Sequence, residues 1–160
     1  MCSQNLHDQL KEFITPDTLI LTIGNTLKGD DAAGPAIAEK LKPVIPNHII
    51  DAGTVPENYI QPIINKNPRI LLIIDAINFD AEPGTMKIFP PDKIKSMAVS
   101  THAPSPQLFL DVIKSSISPQ IYFLAIQPEQ TELGAPLSGP IQQAIDSVIK
   151  IIAEILQPPE

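Results

Sequence analysis

Acids, an imidazole and turn residues stand together just after several short apolar runs, where a side chain has room to act. Gly24-Asn25-Thr26-Leu27-Lys28-Gly29-Asp30-Asp31 follows the run at 19–23, Asp51-Ala52-Gly53-Thr54 follows 48–50, and Asp75-Ala76 closes 70–74. Gln127-Pro128-Glu129 follows 121–126, and Ser100-Thr101-His102-Ala103-Pro104 lies in the connection after 86–89. Carboxylates from Asp31 and Asp75 with the imidazole of His102 make a hard-to-intermediate donor set, suited to zinc, nickel, iron or manganese, that leaves coordination positions open. The same groups without an ion are general acids and bases.

Each group also has a plainer role. Asp30 or Asp31 can accept backbone N–H groups at a helix start and complement the helix dipole. Asp75 can cap a turn, and His102 can be a solvated loop histidine. His7 and His48 read as structural. Two other chemistries fit less well. The 24–31 segment has neither the Gly-x-Gly-x-x-Gly nor the Gly-Lys-Ser/Thr arrangement of a phosphate cradle, and its two acids repel an anion. A phosphoacceptor receiver domain needs a lysine at the end of its last strand, where this chain has Gln127-Pro128.

The elements that must position these residues alternate in type. Leu6, Leu10 and Phe13 have helical spacing within a polar segment, so residues 1–17 are expected as an N-terminal helical extension. Runs at 19–23, 48–50, 70–74 and 121–126 read as buried strands. Residues 31–43, 57–65, 105–116 and 138–156 read as helices, with Pro35 and Pro140 in first turns. Pro62 would kink the second of these unless that helix begins near it. In the third, Leu108, Val112 and Ile113 are expected to face inward. In the last, Ile141, Ile145, Val148, Ile152 and Ile155 form one stripe. The run at 86–89 follows 70–74 too closely for a helical crossover, and Pro83-Gly84 marks a turn, so it is expected to pair antiparallel. The expected fold is a single three-layer α/β domain. Its doubly wound twisted sheet has about five strands, mostly parallel with one antiparallel, and helices on both faces. In such sheets ligands gather at the carboxyl ends of the strands, which is where Asp31 and Asp75 fall. Residues 158–160 are expected as a frayed tail.

Composition supports a packed globular domain and excludes other classes. At 160 residues, a chain can bury roughly 70% of its unfolded surface without disulfides or structural metals. Eighteen acids against eleven basic side chains give a net charge of −7, and Arg69 is the sole arginine, which argues against nucleic-acid binding. No apolar run approaches the ~20 residues of a membrane span. The first residues carry neither a basic nor an apolar leader segment. Cys2 is the only cysteine, so no intrachain disulfide forms, consistent with a reducing cytoplasm. The 18 prolines lie between apolar runs and read as punctuation rather than disorder.

In order and position, these motifs resemble the nickel-iron hydrogenase maturation endopeptidases, and most closely the HycI-type proteases. The resemblance covers roughly residues 19–156. It rests on Gly24-Asn25 through Asp30-Asp31 and Gly34, on Asp51-Ala52-Gly53-Thr54-Val55-Pro56-Glu57-Asn58 and Ile73-Ile74-Asp75-Ala76, and on Pro83-Gly84-Thr85, Ser100-Thr101-His102 and Ile126-Gln127-Pro128. Ala52-Gly53 departs slightly from the Gly-Gly pair frequent there. The resemblance implies a maturation protease domain over residues 18–157, with the metal-contacting and catalytic triad on Asp31, Asp75 and His102. It implies an endopeptidase that cuts a C-terminal extension from a hydrogenase large-subunit precursor. Nickel would arrive with that substrate, and no tightly held metal of the protease's own is expected. Whether the ion or a carboxylate activates the attacking water stays open. The other expectations are a cytoplasmic monomer whose partner is the precursor protein, with neither nucleic acid nor membrane involved.

Overall fold

The computed structural model describes residues 2–96 and 106–157. Helix α1 (Cys2–Phe13) leads into strand β1 (Thr18–Ile23), and α2 (Ala33–Leu41) follows a short 3-10 turn at Gly29–Ala32. Next come β2 (Ile49–Gly53), a second 3-10 turn at Pro56–Tyr59, α3 (Ile60–Lys66), β3 (Ile70–Ala76) and β4 (Met86–Phe89). The chain continues through α4 (Pro91–Ser96), α5 (Pro106–Ser116), β5 (Gln120–Ile126) and α6 (Gly139–Leu156). The five strands form one sheet in the order β2-β1-β3-β5-β4. All neighbours are parallel except β4, which runs antiparallel to β5 with Met86 opposite Ile126 and Phe89 opposite Phe123. This is the sheet that the sequence predicts.

Strand alternation divides the core in two. Ile20, Leu72, Ile74, Leu124 and Ile126 point to the side covered by α1, α2 and α6, where they meet Ile37, Leu41, Ile141, Val148 and Ile152. Leu19, Leu21, Leu71, Ile73 and Phe123 point to the other side and pack on Ile63 of α3 and on Phe109, Leu110 and Ile113 of α5. Leu6 and Leu10 of α1, and Ile14 directly after it, belong to the first core and are buried there. Among the described residues, no helix is long and apolar enough to cross a membrane.

Some boundaries and faces differ from expectation. The helix expected from residue 31 opens as a 3-10 turn and becomes α-helical only at Ala33, and α3 begins at Ile60, which leaves Pro62 in its first turn. Asp51 and Asp75 sit within their strands rather than after them. In α5, Ile113 is buried as expected, but Leu108 is 62% exposed and Val112 is also exposed. Their inward places are taken by Phe109 and Leu110. Five large apolar residues crowd this helix, so spacing alone does not choose its face. The tail at 158–160 and the whole 97–105 segment, with His102, lie outside the described residues.

Candidate active site

The sheet brings the two acidic positions together at one point. Strands β1 and β3 are central neighbours, yet the chain leaves β1 for β2 on one side and returns to β3 on the other. That divergence opens a crevice at the carboxyl ends of the two strands. Asp31 follows β1 in the 3-10 turn, and Asp75 is the penultimate residue of β3. Both are buried, at 2% and 7% exposure.

Glycines allow the turn to sit this close to the strand ends. A methyl on Gly24 would strike the backbone oxygen of Asp31, and one on Gly34 would strike the backbone oxygen of Ile23. The Asp31 turn is therefore pressed directly on the end of β1. The backbone N–H of Asn25 donates to Oδ2 of Asp31 at 3.1 Å, which orients that carboxylate.

The two carboxylates feel one another. Asp75 is held well above the usual aspartate range, first by burial, then by repulsion from Asp31, with a backbone hydrogen bond from Ala76 partly offsetting both. Two acids in a poorly solvated crevice destabilise each other's ionised forms. A proton or a cation would relieve that repulsion, and Asp75 is the kind of perturbed carboxylate that clusters at functional sites. Among the described residues, no third Cys, His, Asp or Glu completes a metal-ligand group. The expected third member, His102, is outside them.

Asp30, next in sequence, is turned elsewhere. Its carboxylate accepts N–H groups from Glu129 (2.8 Å), Gln130 (2.9 Å) and Ser138 (2.7 Å), and the Ser138 hydroxyl at 2.9 Å. The expected helix-capping role for an acid here is thus realised at the start of α6, 108 residues away, and not on α2. Asp51 is similarly committed: its Oδ1 accepts the Thr22 hydroxyl and the Gly53 N–H, each at 3.1 Å. His48 sits at a ring-nitrogen distance of 3.3 Å from the Thr18 carbonyl, and His7 is 3.7 Å from Glu154 at the molecular surface. Both are remote from the crevice, as their structural reading requires.

Gln127 proves to be the organiser of the loop after β3. Its Oε1 accepts the N–H groups of Phe79 (2.8 Å) and Ala81 (3.2 Å), and its Nε2 donates to Oδ1 of Asn78 at 3.1 Å. The Gln-Pro pair in the sequence marks the place but gives no hint of those partners. A groove of about 520 Å³ runs from Thr26 and Ala32 along α2 to Lys42 and Pro43, with Asp51 and Glu39 on its walls. A second, of about 600 Å³, lies at the opposite, amino-terminal edge of the sheet around His48, Lys66 and Arg69, away from the paired acids.

Comparison with known proteins gives the family. The family described as HycI, hydrogenase maturation protease, matches residues 35–155. The chain belongs to the hydrogenase maturation protease family. It is 36% identical over 133 residues to the hydrogenase 3 maturation protease of Escherichia coli K12, covering 81% of this chain and 85% of that protein. The crystal structure of a [NiFe] hydrogenase maturation protease HycI from Thermococcus kodakarensis superposes with a TM-score of 0.83 at 30% identity, over 93% of this chain and 99% of that one. The solution structure of the endopeptidase HycI from Escherichia coli gives 0.75 at 34% identity, over 86% and 90%. As a hydrogenase maturation protease, the chain is a peptide-bond hydrolase, and its five-stranded sheet is the architecture of these relatives.

Proposed function

We propose that this protease removes the C-terminal extension of a nickel-iron hydrogenase large-subunit precursor once nickel has been inserted, and that Asp31, Asp75 and His102 read the nickel carried by that substrate. The observation that supports this reading is the pair of buried, mutually repelling carboxylates at the β1–β3 crevice. Such a pair relaxes when a cation enters, so a metallated substrate is bound more tightly than an empty one. The one cysteine, Cys2, lies in α1, so this chain has no thiolate cage of its own, and the thiolate ligands to nickel would belong to the precursor.

The chemistry is hydrolysis by water. Asp75, at the end of β3, serves as the general base that accepts a proton from the attacking water. Asp31, oriented by Asn25, fixes the substrate ion and through it the scissile bond, which contributes orientation rather than covalent chemistry. The reaction takes place in the cytoplasm, where a nascent precursor is available.

The test uses nickel-loaded and nickel-free precursor, each incubated with the protease and followed by mass spectrometry. Loss of the extension from the loaded form alone is expected. Equal cleavage of both removes nickel from the recognition step, and no cleavage of the loaded form refutes the substrate assignment.

A further inference from the structure

We propose that Leu27 and Leu133 form an apolar ledge on which the folded body of the protein substrate docks, beside the segment presented to the paired acids. The inference rests on the function proposed above and adds the surface that recognises the partner. Leu27 is 65% exposed and Leu133 75% exposed, and they come from loops far apart in sequence. The backbone joins them: the N–H of Gly134, next to Leu133, donates to the Leu27 carbonyl at 2.8 Å.

Single exposed leucines are ordinary on protein surfaces. Two features set this pair apart. Both loops are held firmly. The Asp30 carboxylate grips residues 129, 130 and 138, the Asp30 N–H donates to the Gln130 carbonyl at 2.7 Å, and Gln130 Nε2 donates to the Pro136 carbonyl at 2.8 Å. Apolar side chains displayed on fixed backbone lose little freedom on docking, which raises their share of the binding energy. Leu27 also belongs to the loop that carries Asp31. Leu27 stands between Asn25, which holds the Asp31 carboxylate, and the turn that carries Asp31. A folded protein that presents a peptide bond to Asp31 and Asp75 meets, in this proposal, the loop that carries Leu27. Its complement is an apolar patch close to the cleavable segment, with Lys28, Glu129 and Glu132 supplying the polar rim usual around such a contact.

The test is steady-state cleavage of the nickel-loaded precursor by Leu27→Ser, Leu133→Ser and the double variant, with Leu27→Met and Leu133→Met as apolar replacements. Each serine is expected to raise KM about tenfold with kcat and melting temperature retained, and the methionines to keep the parent KM. An unchanged KM overturns the proposal. So does a fall in kcat alone, or a melting temperature lowered by the serines, since either would assign the leucines to the fold or the chemistry. If the parent enzyme fails to cleave the precursor, the substrate assignment fails instead, so the two failures are distinct.

Discussion

Asp30 and Asp31 are adjacent in sequence and opposite in expected consequence. Asp30→Ala removes a fully buried carboxylate that accepts four hydrogen bonds. Hydrogen bonds to a charged group contribute about 1.5–3 kcal/mol each, so a simple sum gives roughly 6–12 kcal/mol. That sum is too large, because Glu129 is exposed and Gln130 half-exposed, and water replaces the carboxylate at both. The Ser138 N–H and hydroxyl are buried and stay unsatisfied. Two such groups bring the loss to about 3–5 kcal/mol. The carboxylate also lies at the start of an 18-residue helix, and losing its charge there costs up to about 1 kcal/mol more. For a domain of this size each kcal/mol lowers the melting temperature by about 2–4 °C, so a fall of about 6–24 °C is expected. Urea unfolding should show the same loss as a lower midpoint with an unchanged slope. Asp31→Ala, by contrast, relieves its repulsion with Asp75. It should melt within a few degrees of the parent while losing cleavage of the nickel-loaded precursor. An Asp30→Ala protein that melts within 2 °C of the parent, or an Asp31→Ala protein that cleaves normally, would refute this division of labour.

Two further outcomes follow from the same geometry. The Asp75 carboxyl binds its proton more tightly folded than unfolded, so stability falls as pH rises above the ordinary aspartate value of 3.8 and until the folded group has ionised as well. Asp75→Asn should remove that loss, gaining about 1.4 kcal/mol at pH 7 for each tenfold difference in proton affinity and nothing below the ordinary value. Urea titrations of both proteins at pH 7 and at acid pH check this, and a gain independent of pH would contradict it. Gly34→Ala forces a methyl onto the backbone of Ile23 and should cost about 1–3 kcal/mol together with cleavage activity. Gly139→Ala, where a methyl meets nothing within 4 Å, serves as its control, and equal melting temperatures for the two would count against the close approach.

Much of this architecture is legible in the sequence because its signals are local. The run at 70–74 is too apolar to be anything but a central strand, and an aspartate directly after it can only be a capped or functional acid. Pro83-Gly84 and the short interval to Met86 announce the antiparallel strand. What escapes sequence reading is pairing across distance. Nothing near Asp30 points to Ser138, and nothing near Gln127 points to Phe79 and Ala81, because those bonds exist only once the sheet has brought β5 beside β3. The face of α5 is hidden for another reason: Leu108, Phe109, Leu110, Val112 and Ile113 offer two apolar stripes, and only packing against the sheet and α3 selects one. The six-residue α4 was invisible for want of a repeating apolar pattern.

The grip of Asp30 on Ser138 also sets an order of events during synthesis. A contact that closes 108 residues of chain is among the last to form, because the entropy of closing so long a loop must be met before the bond returns anything. The first four strands can be made, and the loop bearing both aspartates can leave the ribosome, while the part that steadies it is still untranslated. The Asp30 end of that loop is therefore secured only when residue 138 has emerged. Until then Asp30 lacks the two bonds that it accepts from Ser138 in the finished fold.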